Sequence, residues 1–195
     1  MHINSQPKPK RSNKGFTLIE MIGVLAIIAI LAGLLLPKIF RALNNARIDG
    51  AAVACSTFKA ATAEHYAAKS GNFGALTNAF DLVLLSEGLV DKAFEVKISP
   101  ATNHVQLVAA ETDNHVTAIN AWYALSGDPS VNGAAGSQVV QAVMTGVSQA
   151  DAQALSLLID GPSMSAANTP GADLLGRVKY GTTDPTDVYV YIASR

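Results

Sequence analysis

The chain has 195 residues, of which 49% are hydrophobic, 15% charged and 6% aromatic, with a formal net charge of -1. That length holds one ordinary domain, or one domain plus an appendage, and the near-neutral charge gives no reason to expect a nucleic-acid partner. A single cysteine, Cys55, excludes an intrachain disulfide framework and any multi-cysteine zinc or iron–sulfur site.

Residues 1–15, MHINSQPKPKRSNKG, carry Lys8, Lys10, Arg11 and Lys14 and no acid. Pro7 and Pro9 disfavour helix there. Residues 16–36, FTLIEMIGVLAIIAILAGLLL, contain one charge, Glu20, and are followed by Pro37, Lys38 and Arg41. As a helix they would be about 32 Å long, enough to cross a bilayer core of ~30 Å. Three readings compete. A secretory signal peptide has a shorter apolar core, of about 7–15 residues. An ordinary membrane anchor explains the length but not Glu20, because a carboxylate at the bilayer centre costs ~2.5–3.5 kcal/mol. In the third reading a cut falls between Gly15 and Phe16, and Glu20 lies one helical turn from the new amino group.

Lys14-Gly15-Phe16-Thr17-Leu18-Ile19-Glu20 resembles the processing site of type IV prepilins and of type II secretion pseudopilins. The resemblance is strong over residues 10–66 and is architectural beyond them. It implies cleavage after Gly15 by a membrane-embedded prepilin peptidase, which then N-methylates Phe16. It also implies that Glu20 pairs with the Phe16 amine of a neighbouring subunit; the alternative is a carboxylate that merely reaches the membrane interface. The partners implied are further copies of the chain in a helical filament, the peptidase/methyltransferase, an inner-membrane assembly platform and lipid. The basic leader would stay cytoplasmic. Pro37 removes a backbone donor and kinks a helix, and Gly33 makes that stretch easier to loosen. Related filaments melt in this region; a static kink is the alternative.

Residues 38–70 place Ile39, Leu43, Ala46, Val53, Ala54, Phe58, Ala61 and Tyr66 at three-to-four spacing, as expected of an amphipathic continuation of one helix of about 55 residues. Gly71 is its expected stop. Cys55 reads as a small buried hydrophobe, and Glu64 and His65 as solvated or capping groups. Residues 75–90 predict a short helix with a Ser-Glu-Gly stop, and 94–98 (FEVKI) and 105–109 (VQLVA) a hairpin. Residues 118–125 predict another strand, and 132–136 a loop. Residues 138–147 suit strand or helix. Ser148-x-x-Asp151 has the form of a capping box opening a helix through Ile159. Residues 163–173 read as a loop, and 177–180 with 188–192 as a final hairpin.

The expectation is an α+β, pilin-like fold, with a long kinked N-terminal helix on a small antiparallel sheet of four or five strands. Its parts are a cleaved leader (1–15), a membrane and filament-core helix (16–37), an amphipathic continuation (38–71) and a globular head (72–195). Without a second cysteine the chain departs from pilins that close a C-terminal loop with a disulfide. Some major pseudopilins use calcium near that loop. Asp184 and Asp187 offer oxygen ligands for it, although a plain Asp-Pro-Thr turn fits as well. No other metal or cofactor is indicated. Zinc, phosphate-loop, dinucleotide and nucleophile-elbow motifs are missing, so no enzyme is expected. Trp122 and Tyr123 suit either an exposed patch or sheet packing. The expected function is a structural subunit of a type IV pilus-like filament. It would be made as a single-pass inner-membrane precursor and end at the cell surface. The alternatives are a periplasmic pseudopilus subunit, or a membrane-anchored binding domain.

Overall fold

In the computed structural model, residues 15–109, 137–162, 172–173 and 176–195 are described. They form α1 (Leu18–Ala68), α2 (Phe80–Ser86), β1 (Asn103–Ala109), β2 (Gln138–Val147), α3 (Gln149–Asp160), β3 (Val178–Tyr180) and β4 (Thr186–Ser194). The strands make one sheet in the order β1-β2-β4-β3, with every neighbouring pair antiparallel. The α+β expectation of a long helix with a small antiparallel sheet is met. The chain divides into two compact units, Met1–Leu43 and Asn44–Arg195.

The described part of the first unit is helix and its short lead-in, with every residue from 15 to 43 exposed. Pro37 lies inside α1, which continues through it. With no N–H on Pro37, the Gly33 carbonyl four residues earlier lacks its ordinary partner.

In the second unit α1 buries Ile48, Ala51, Cys55, Phe58, Thr62 and His65, at alternating spacings of three and four, with Ala61 beside them. The expected stripe is therefore displaced. Phe58 and Ala61 are buried, but Ala46, Val53 and Tyr66 are exposed, and Ile48 takes the place assigned to them. Alanines on several faces blur the periodicity, so the larger head side chains decide which face is covered. His65 is another correction, since it is buried rather than solvated. The helix ends in a Schellman arrangement. Ser70, at φ 56°, occupies the left-handed position, and Gly71 N–H donates to Tyr66 O at 2.9 Å. Gly71 thus lies one residue beyond the turning position.

Helix α2 is shorter than expected, because Thr77 exchanges backbone hydrogen bonds with Leu107 at 3.0 and 2.7 Å. That bridge holds 75–79 out of the helix. The stop at Ser86-Glu87-Gly88 is as expected, with Gly88 at φ 73°. Residues 94–98 form no strand. Their alternation is real in burial: Phe94, Val96 and Ile98 are inside, Glu95 and Lys97 outside. Instead of a hairpin, the buried Asp81 carboxylate accepts the N–H groups of Phe94 (3.2 Å) and Val105 (3.4 Å). β1 pairs with β2, whose ambiguous sequence resolves as the strand between β1 and β4.

The core lies between α1, α2, α3 and one sheet face, joining Phe58, Phe80 and Leu84 to Leu107, Met144, Leu155 and Ile192. Phe58 meets Phe94 edge to face at 5.3 Å between ring centroids. Ser148 caps α3 by accepting Asp151 N–H at 3.2 Å. The Asp151 carboxylate, rather than closing the box, accepts from Asn44 at 2.8 Å. The final hairpin forms with Val178 opposite Val190 and Tyr180 opposite Val188. Residues 118–125 and 132–136, Trp122, Tyr123 and nearly all of 163–173 lie outside the described residues, as do Lys8, Lys10, Arg11 and Lys14.

Candidate processing and assembly segment

Gly15, Phe16 and Thr17 precede the first helical residue, Leu18. Thr17 and Glu20 close a reciprocal cap. The Glu20 N–H donates to Thr17 Oγ1 at 3.3 Å, and the Thr17 N–H donates to Glu20 Oε2 at 2.8 Å. The Thr17 hydroxyl also donates to Glu20 Oε2, at 2.8 Å. This satisfies two of the backbone donors that a helix start leaves free, and it fixes the carboxylate over the first turn. The signal was present in the sequence as Thr17-x-x-Glu20. Thr17 is thus a nearer partner for Glu20 than the amine of a neighbouring subunit.

Phe16 is 80% exposed, and residues 16–36 are exposed throughout. α1 is long and apolar enough to cross a membrane by length and composition. A Cβ added at Gly15, Gly23 or Gly33 would meet no atom within 4 Å. Packing among the described residues therefore gives no reason for glycine at these positions.

The remaining candidates have local roles. Asp184 Oδ1 accepts the N–H of Gln149, the first residue of α3, at 3.1 Å. Asp187 Oδ1 accepts the Gly146 N–H at 3.2 Å. Each carboxylate thus stabilises the β2–α3 junction. Among the described residues no group of three or more His, Cys, Asp or Glu is placed to hold a metal ion. Cys55 is buried, and that burial pushes its thiol up to about 12, far from a reactive thiolate at neutral pH. His65 Nδ1 lies 2.5 Å from Glu87 Oε2, and its Nε2 3.2 Å from Phe73 O. Lys69 also reaches Glu87, at 3.0 Å. The His65 hydrogen bond, then that of Lys69, holds the Glu87 carboxyl below its ordinary range.

Comparison with known families decides what residues 10–36 are: they match the prokaryotic N-terminal methylation motif. The chain carries the type IV pilin and pseudopilin prepilin signal. The matched stretch takes in Gly15, Phe16, the Thr17–Glu20 cap and the apolar helix up to Leu36. No curated protein matches the chain. No solved structure matches it. The prepilin signal therefore sits on an α+β chain whose head is described by its own geometry alone.

Proposed function

We propose that the chain is a prepilin hydrolysed between Gly15 and Phe16, N-methylated at Phe16, and assembled into a type IV pilus-like filament through the apolar helix. The observation that carries this reading is the methylation motif at residues 10–36, joined to a helix start whose apolar side chains are exposed. Residues 16–36 would hold the subunit in the inner membrane and then bundle in the filament core. Gly23 and Gly33, whose Cβ positions are open, let neighbouring backbones approach.

Glu20 has two roles in this account. In the membrane its carboxylate is satisfied by Thr17, which reduces the cost of an unpaired acid in lipid. In the filament it pairs with the methylated Phe16 amine of a neighbour, which favours one axial register. Prepilin peptidase and an inner-membrane platform are the partners this requires. The role is structural, and the filament emerges at the cell surface.

The test uses the cells that make the protein. Sheared or sedimented filaments should contain the chain beginning at methyl-Phe16. Filaments confined to the periplasm would favour a pseudopilus, and the absence of any filament would refute the reading.

A further inference from the structure

His65 is a buried titratable group that the filament reading leaves without a role. Its ring is 3% exposed near the end of α1 and meets Phe80 edge to face at 5.3 Å between centroids. Each ring nitrogen faces one oxygen: Nδ1 lies 2.5 Å from Glu87 Oε2, and Nε2 lies 3.2 Å from Phe73 O. A neutral imidazole carries one N–H and one lone pair, whereas the imidazolium carries two N–H groups. Phe73 O is a backbone carbonyl and can only accept, so Nε2 donates to it. Glu87 is an acceptor as well. Lys69 Nζ reaches its other oxygen, Oε1, at 3.0 Å, and the hydrogen bonds from His65 and then Lys69 hold the carboxyl below its ordinary range. A neutral ring would therefore set one nitrogen lone pair against an oxygen, with no water-facing surface on the ring to relieve it.

The other charges nearby offer no competing arrangement. The ring lies on a hollow of about 470 Å³, and among the described residues lining it Lys69 and Glu87 carry the other charges. Lys69 is 53% exposed, so solvent screens its repulsion of the ring. Asp81, on α2, accepts the N–H groups of Phe94 and Val105. The Arg195 guanidinium donates to Gly71 O at 3.4 Å.

We propose that His65 is an imidazolium clamp, donating from both nitrogens to tie the end of α1 to the Phe73 carbonyl and to the Glu87 carboxylate that caps α2, and that rising pH releases it. The clamp is complete only between two protonation events. Acid removes the Glu87 acceptor, and base removes one His65 donor. The stabilisation from His65 is therefore present while the ring holds both protons and is lost as pH rises, the opposite sense to that from Glu87. Release leaves the ends of α1 and α2 and the Phe73 turn with one tie fewer where they meet at the hollow. All the groups involved lie in the head, so the inference stands independently of the filament reading.

The experiment uses the full chain, detergent-solubilised and labelled with nitrogen-15 in its histidine rings, with the His65 signals assigned by their loss in His65→Gln. At about pH 7.5, where an ordinary histidine has lost one proton, both ring nitrogens of His65 should carry hydrogen. A bare nitrogen at that pH would overturn the proposal. In Glu87→Gln the new amide can donate to Nδ1, so that nitrogen should be bare at the same pH; a ring still doubly protonated would show that the carboxylate is not what holds it. Stability supplies an independent readout. The gap in urea midpoint between the unmodified chain and His65→Gln should shrink by at least about half between pH ~6 and pH ~9, a range that spans ordinary histidine titration. A gap that stays constant would contradict a clamp released by rising pH.

Discussion

In the proposed filament one carboxylate, Glu20, would serve two environments. Its hydrogen bonds from the Thr17 N–H and hydroxyl form within a single turn, so they are available before any neighbour is. Thr17→Val removes the cap and should destabilise the helix start by ~1 kcal/mol. Hydrogen exchange of the first-turn amides of the detergent-solubilised chain would register that fraying. Glu20→Ala should mature normally but assemble poorly, and a normal filament yield would count against pairing with the Phe16 amine. Gly15→Val should accumulate as precursor on an immunoblot, since glycine there is not needed by the chain's own packing. The Thr-x-x-Glu signal was legible in the sequence. The burial of His65 was not, because it depends on Glu87 and Phe73, which loop geometry brings to the ring.

At the scale of elements, local patterns were readable and long-range pairings were not. The alternation of residues 94–98 correctly sorted inside from outside, yet the backbone donors of that segment and of β1 go partly to Asp81, which no spacing rule announces. The same holds for 75–79, withdrawn from α2 by the bridge from Thr77 to Leu107. The Ser148 cap and the last hairpin were legible because their signals are local. Two measurements probe these elements. Gly176 sits at φ 67°, and a Cβ there would run into the Asp160 carboxylate, which holds the Arg177 and Val178 N–H groups. Gly176→Val should therefore lower the urea midpoint of the detergent-solubilised chain by the equivalent of ~2–3 kcal/mol. Glu87 gives a pH dependence. Its folded-state carboxyl lies below the ordinary 4.5, so its contribution is present above that pH and is lost as pH falls through the folded value. Glu87→Gln should flatten the acid limb of a stability-against-pH curve below about pH 4.5.

The whole molecule reads as a precursor with two solvents to satisfy. Its 49% hydrophobic content is uneven: an apolar helix with one acid precedes a head with its own buried core. If the cut falls after Gly15, four of the fourteen basic side chains leave with the leader, and the formal charge moves from -1 to -5. That predicts an acidic shift in isoelectric focusing on maturation. The measurement that tests the account most directly is the intact mass and N-terminal sequence of the protein purified from cells with active prepilin peptidase. The account predicts a chain of 180 residues beginning at N-methylated Phe16. A chain still beginning at Met1, or cut elsewhere, would contradict it.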